Sequence, residues 1–369
     1  MLLEPIEVLP ADAIGGVHFI AIGGSGMSGV AKLYHDLGVS VAGSDREESK
    51  YFKKLTEIGI KTYLGHNAEQ LGDAETVVIS SAIREDNPEL AAARANGLRV
   101  WHRSSALAAL MIGRRCVAIA GTHGKTTTTG MTAVMLSAAG SDPSYVIGGP
   151  LSDTGFSSKL GSGDVFVVEA DESDGSFLQY PTEIAVITNI EADHLVNWGT
   201  PQAYAEGFYR FATQDHVKAV VINIDDPGSK VLAERLRNEG RKVIGYGQAA
   251  DAEVRFSNLQ VKGIYSIAEL SYGSESGELT LQVPGWHNMS NACAAYASGR
   301  LLGLSHKQAV AALATFQGTL RRFQLITHAA GVRLYDDYAH HPTEIEAALS
   351  AARKATQAGN SETGFDGRL

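Results

Sequence analysis

Apolar positions along this chain fall into two alternating patterns. Short runs rich in Val, Ile and Ala, at residues 17–22, 116–120, 164–170 and 184–189, are continuous. That is the pattern of strands buried on both faces of a sheet. Between such runs lie stretches where apolar residues recur every three or four positions, the spacing of an amphipathic helix. The alternation over about the first three hundred residues predicts βαβ units and a parallel sheet, an α/β fold.

In chain order, strands are expected at 17–22, 39–43, 76–80 and 98–101, with helices at 28–37, 47–58, 88–96 and 106–111. A second series follows: strand 116–120, helix 126–139, strands 164–170, 184–189, 218–222 and 242–246, and a helix at 227–238. Residues 253–283 change character, and short alternating runs with Gly-Ser turns predict an antiparallel patch. Helices at 289–302 and 306–316 come next, then a strand at 331–335 and a helix at 342–355. The polar stretch after that predicts neither a strand nor a packing face. One strand and one helix are too little to bury a core, so Val332, Leu334 and Ile345 are expected to be exposed.

Composition narrows the function classes. With 44% hydrophobic and 20% charged residues among 369, the chain can bury a core, which excludes disorder throughout. Its 31 Lys+Arg against 41 Asp+Glu give a net charge of −10, which argues against nucleic acid as the partner. Cys116 and Cys293 lie far apart and match no zinc or disulfide framework. No apolar run has the length of a membrane span, and the N-terminus is acidic where a signal peptide is basic. A cytoplasmic protein with no membrane partner is expected.

Two glycine-rich loops carry the candidate chemistry. Gly24-x-Gly26-x-x-Gly29 follows a strand and opens a helix. There the first glycine allows a tight turn, the second lets backbone approach a pyrophosphate, and the third lets helix pack on strand. Asp45, ending the next strand, is spaced to meet a ribose hydroxyl. The loop is expected to bind a nucleotide or nucleotide-sugar through Gly23, Gly24, Ser25, Gly26, Met27 and Ser28. The second loop, Gly121-Thr122-His123-Gly124-Lys125-Thr126-Thr127, also lies between strand and helix. Its N–H groups and the helix dipole can hold a triphosphate, with Lys125 reaching the β/γ-phosphates and Thr126 placing a hydroxyl on Mg²⁺. Ile119 stands where the common pattern has its first glycine. Glu169 and His194 each follow a buried strand, so both can converge on the phosphates from the carboxyl edge of the sheet. Oxygen and imidazole donors from Thr126, Glu169 and His194 suit Mg²⁺ or Mn²⁺.

Eight segments in order, HFIAIGGSGMSGVA, VAGSD, GTHGKTTTT, VEADESDGSFL, TNIEADHL, PGWHNMSNACAA, FQGTLRRF and DDYAHHPTEIEA, resemble the Mur ligase family. The AIGGSGMSG loop is similar to the branch of that family that adds the first amino acid. The resemblance implies a Rossmann-like UDP-sugar-binding unit at 1–112, a central P-loop ATPase α/β unit at 113–320, and an incomplete Rossmann-like unit at 321–369. It also implies ATP-dependent amide formation: the carboxylate of UDP-N-acetylmuramate is phosphorylated, and L-alanine then displaces phosphate. Lys125, Glu169 and His194 would be catalytic. His287, Asn288 and Asn291 would lie near adenine, Arg322 and Asp337 near ATP, and His340 and His341 on the amino-acid side. Gln324 after Arg-Arg-Phe, Val196-Asn197-Trp198 after the DHL segment, and Ser105 depart from the family pattern. Two other readings follow from the same resemblance: an inactive chain that binds nucleotide through its first two units, and the related ligase that recycles murein tripeptide.

Overall fold

The computed structural model describes residues 2–151, 157–329 and 332–363; Gly331 of the last expected strand and residues 364–369 of the polar stretch lie outside them. The continuous apolar run after Gly16 forms β1 (Val17–Ile20), with all four residues buried. There follow α1 (Ser25–Asp36), β2 (Val41–Asp45), α2 (Lys50–Glu57), β3 (Lys61–Leu64), β4 (Thr76–Ile79), α3 (Pro88–Ala95), β5 (Arg99–His102) and α4 (Arg103–Ala109). The five strands form a parallel sheet in the order β3-β2-β1-β4-β5. The order reverses direction between β1 and β4, and the glycine loop leaves β1 at that crevice, where open α/β sheets bind ligands. Helix α2 begins three residues later than the pattern predicts, because the Ser49 hydroxyl caps it by accepting from the Phe52 N–H at 3.1 Å. Strand β3 has no counterpart among the predicted strands. It is an edge strand with no buried residue, so it carries no apolar run.

The central unit runs through β6 (Arg115–Ala120), α5 (Lys125–Ala138), β7 (Ser144–Val146), β8 (Ser158–Lys159), β9 (Val165–Glu169), β10 (Thr182–Ile187), α6 (Leu195–Trp198), α7 (Pro201–Ala212), β11 (Ala219–Asn223), α8 (Pro227–Asn238), β12 (Val243–Gly247), β13 (Val254–Lys262), β14 (Tyr265–Tyr272), β15 (Glu275–Leu281), α9 (Trp286–Leu301) and α10 (His306–Leu313). Ten strands make one sheet, β15-β14-β13-β12-β11-β10-β6-β9-β7-β8. Its centre is parallel, and β13, β14 and β15 are the expected antiparallel patch. Strand β6 lies between β9 and β10, with Ile119 beside Glu169 and Ala120 beside Ile187. The loops after these three strands therefore emerge side by side. Helix α7, absent from the predicted elements, buries Tyr204, Phe208 and Phe211 around Phe177 and Trp198.

The third unit corrects the expectation of one strand and one short helix. It has a hairpin of β16 (Gln324–Ala329) and β17 (Val332–Asp336), and α11 (Pro342–Thr363) continues past Ala355 into the stretch expected to be featureless. Val332, Leu334 and Ile345 are exposed as expected. Helix α11 lies against β13, and its Ala351 is buried. Among the described residues no helix is long and apolar enough to cross a membrane.

Candidate active site

Backbone geometry makes the turn after β6 a phosphate loop. Gly121 and Gly124 have φ of +135° and +82°, and Gly124 is the residue from which α5 starts. Side chains strain in that region, and here a Cβ would also meet Thr188 at Gly121 and Asn291 at Gly124. Two residues after β10 brace the loop. Asn189 accepts from the His123 N–H at 2.8 Å and donates to the His123 carbonyl at 3.0 Å, while the Thr188 hydroxyl donates to the same carbonyl at 2.5 Å.

Lys125 turns back onto this loop. Its ammonium donates to the carbonyls of Gly121 (2.5 Å) and Thr122 (3.1 Å) and pairs with Glu172 at 2.9 Å. Burial pulls the Lys125 pKa down, but the Glu172 and Glu169 carboxylates outweigh it and hold the pKa above its usual value, so the lysine stays charged. Burial raises the Glu172 pKa against the pull of Lys125. Thr126 and Glu169 also meet: the hydroxyl donates to the carboxylate at 3.1 Å, and the Gly148 N–H donates to its other oxygen at 2.6 Å. His194 does not join them. It caps α6 in the left-handed region with its side chain 41% exposed, and its nearest charge partner is Asp193 at 3.6 Å.

A cleft of about 310 Å³ opens beside the loop. His123, Gly124, Thr126 and Thr127 line one side, and His287, Asn288 and Asn291 from the start of α9 line another. Arg322, Asp337 and Glu344 of the third unit close it. Asp337 is held by the N–H groups of Phe323 (2.7 Å) and Ala339 (2.8 Å). Glu344 accepts from His123 at 3.1 Å and from the His340 N–H at 3.2 Å, with Arg322 at 3.8 Å. Burial alone would raise the Glu344 pKa; the His123 and His340 hydrogen bonds and the Arg322 charge carry it down to about 2. His341 packs on the His123 ring at 4.6 Å between centroids, whereas the His340 side chain is 70% exposed.

In the first unit the loop from Gly23 through Ser28 runs into α1, and Asp45 accepts from the Gly23 N–H at 2.8 Å. Asp45 thus supports the loop itself. The Arg103 guanidinium lies directly over Gly26, in the space a Cβ would take.

Residues 16–115 match the Mur ligase family catalytic domain, 119–299 the Mur ligase middle domain, and 321–361 the Mur ligase glutamate ligase domain. A UDP-N-acetylmuramate–L-alanine ligase of Cutibacterium acnes is 60% identical over 96% of this chain and 75% of its own length. The chain belongs to the Mur ligase family. A second ligase of the same name, from Thermobifida fusca, is 47% identical over all of this chain and 78% of its own. Among solved structures, the UDP-N-acetylmuramate-alanine ligase of Thermotoga maritima superposes with a TM-score of 0.82 at 30% identity, covering 93% of this chain and 78% of that one. A murein peptide ligase of Psychrobacter arcticus gives 0.77 at 27%, over 93% and 76%.

This Mur ligase also places in its two crevices residues that the sequence reading passed over. Arg103 follows β5 and carries the positive charge at the first loop. Asn223 and Asp225, at and after the end of β11, line the cleft. Both sets had a readable signal, since polar or charged residues at the carboxyl end of a parallel strand face the ligand edge.

Proposed function

We propose that this chain is an ATP-dependent ligase that joins L-alanine to the carboxylate of UDP-N-acetylmuramate in peptidoglycan synthesis, acting in the cytoplasm. Residues 1–112 bind the UDP-sugar, 113–320 bind ATP, and 321–369 belong to the unit that closes over it. The observation that carries the reading is convergence: His123, Gly124 and Thr126 of the loop, the start of α9, and Arg322 and Asp337 line one cleft at the carboxyl edge of the central sheet, with Lys125 turned back onto the same loop and Glu169 bonded to Thr126 behind it. The names of the relatives at 47–60% identity support L-alanine as the amine over a tripeptide.

The chemistry follows from the groups present. The muramic carboxylate oxygen attacks the γ-phosphorus of ATP, ADP leaves, and the acyl phosphate keeps phosphate as its leaving group. The alanine amine then adds to the acyl carbon, loses its proton, and phosphate departs. Catalysis of such transfers is mostly positioning and charge neutralisation. The loop N–H groups orient the phosphates while Lys125 exchanges Glu172 for phosphate oxygens. The hard oxygen donors of Thr126 and Glu169 fit Mg²⁺ or Mn²⁺, and these residues would hold it, whereas His194, exposed and paired with Asp193, stands outside this set. Such an ion supplies charge neutralisation at the transferring phosphoryl group. His287, Asn288 and Asn291 serve the adenine end, and Arg322 and Asp337 the phosphate end. His340 and His341 serve the amino-acid side.

The test is ADP release and mass-spectrometric detection of the amide with ATP, Mg²⁺, UDP-N-acetylmuramate and L-alanine. ADP release that depends on the UDP-sugar, with an L-alanyl product, is expected. Product formed from murein tripeptide in place of L-alanine, or ADP release indifferent to the UDP-sugar, overturns the reading.

A further inference from the structure

Three metal-ligating side chains meet where the phosphate loop touches the third unit. The ligand atoms of His123, Glu191 and His341 all lie within 4.8 Å of one another. Two imidazoles and one carboxylate are a donor set for zinc-class ions, distinct from the all-oxygen pair at Thr126 and Glu169.

The surroundings support an ion rather than a plain ion pair. His123 Nδ1 is bound to Glu344 at 3.1 Å, which turns Nε2 toward Glu191 Oε2, 3.2 Å away. A carboxylate on the far nitrogen of a histidine is the usual outer support of a zinc ligand. Ligand atoms on a tetrahedral ion, each about 2.0–2.1 Å from it, stand about 3.3 Å apart. Glu191 has its own support, since the Thr343 hydroxyl donates to its two oxygens at 3.3 and 3.2 Å. His341 Nδ1 is buried with no hydrogen-bond partner among the described residues, although its ring lies against that of His123. An ion would satisfy it. Seating this third ligand takes an inward shift of up to about 1.5 Å, within the reach of a side-chain rotation.

We propose that His123, Glu191 and His341 form a zinc-class metal site that clamps the segment before α11 onto the phosphate loop. His123 and Glu191 come from the central unit and His341 from the third, so one ion ties the two together. Water fills the fourth position. The proposal rests on these residues and does not require the ligase reading.

The experiment titrates the chelator-stripped chain with Co²⁺ and then Zn²⁺. One equivalent of Co²⁺ should give the intense visible bands of four-coordinate cobalt, lost on adding Zn²⁺ and untouched by excess Mg²⁺. His341→Ala and Glu191→Gln should each weaken Zn²⁺ binding by about 100-fold or more, and Glu344→Gln by about 10- to 100-fold. Replacing the exposed, distant His216 with Ala should change nothing. Unchanged thermal unfolding of the metal-free variants shows that folding is not the cause. The absence of saturable one-to-one binding, or an intact site in both His341→Ala and Glu191→Gln, overturns the proposal. Zn²⁺ should also protect α11 from limited proteolysis in the wild type and not in His341→Ala; binding without protection overturns the clamp.

Discussion

Glu172, wholly buried, holds the Lys125 ammonium at 2.9 Å while the same ammonium donates to two carbonyls of its own loop. The arrangement keeps a charged lysine inside the sheet edge, and in the proposed reaction phosphate oxygens take the place of the carboxylate. The Tyr204 hydroxyl, 3.3 Å away, also donates to Glu172, so the carboxylate keeps one partner when the lysine leaves.

Lys125→Ala should therefore act twice. It should abolish UDP-sugar-dependent ADP release, because charge on the transferring oxygens goes unneutralised, a loss of about 3 kcal/mol or more at the transition state. It should also destabilise the fold by about 1–3 kcal/mol, because Glu172 loses its charge partner. Adding Glu172→Gln should recover most of the stability and none of the activity. Denaturant unfolding and an ADP assay separate the two effects.

Glu169→Gln should raise the Mg²⁺ concentration needed for nucleotide binding by about 10-fold or more, since one of the two converging oxygen donors loses its charge. Calorimetry of ATP at several Mg²⁺ concentrations measures it. An unchanged Mg²⁺ dependence would remove Glu169 from the metal set.

Arg103→Ala should weaken UDP-N-acetylmuramate binding about 10- to 100-fold, the range of a lost charge-assisted hydrogen bond, with ATP binding unaffected. Gly26→Val should be more severe, because the added side chain displaces the guanidinium and also blocks backbone approach to the pyrophosphate. Calorimetry with each ligand distinguishes the first unit from the second.

Acid should loosen the contact between α11 and the phosphate loop. The Glu344 pKa is lowered from its ordinary 4.5 to about 2, so its contribution is complete above pH 4.5 and is lost as pH falls from there through about 2. After allowing for solvent screening, the stabilisation at stake is about 1–2 kcal/mol. Hydrogen exchange at the start of α11 should accelerate across that window in the wild type. In Glu344→Gln it should be fast throughout and insensitive to this titration.

Much of the site was readable because its rules are local. A glycine-rich turn between strand and helix has the local geometry of a phosphate loop, and the buried apolar runs at β6, β9 and β10 marked the parallel strands that end at it. Strand β3 stayed silent because an edge strand is held by backbone pairing to β2 and needs no apolar side chains. Helix α7 had a signal in the Thr200 cap, Pro201 and the spacing of Tyr204, Phe208 and Phe211, with Gly207 interrupting it. That glycine leaves room for the Trp198 ring, a packing reason visible only in three dimensions.

The residues themselves determined the α/β architecture, the two glycine loops and the identity of Lys125, Thr126 and Glu169, all of which follow from residue types at short separations. Which of the carboxylates at Glu169, Asp171, Glu172 and Asp174 meets the lysine and which meets the threonine was decided by the strand order β9-β6-β10 and by the turn after β9. The same holds for Arg103 over Gly26 and for His341 against His123, 218 positions apart in the chain. Distances of that kind are set by which strands are neighbours and in what register. No local preference along the chain encodes them, because they arise only when separate elements bury their apolar faces together.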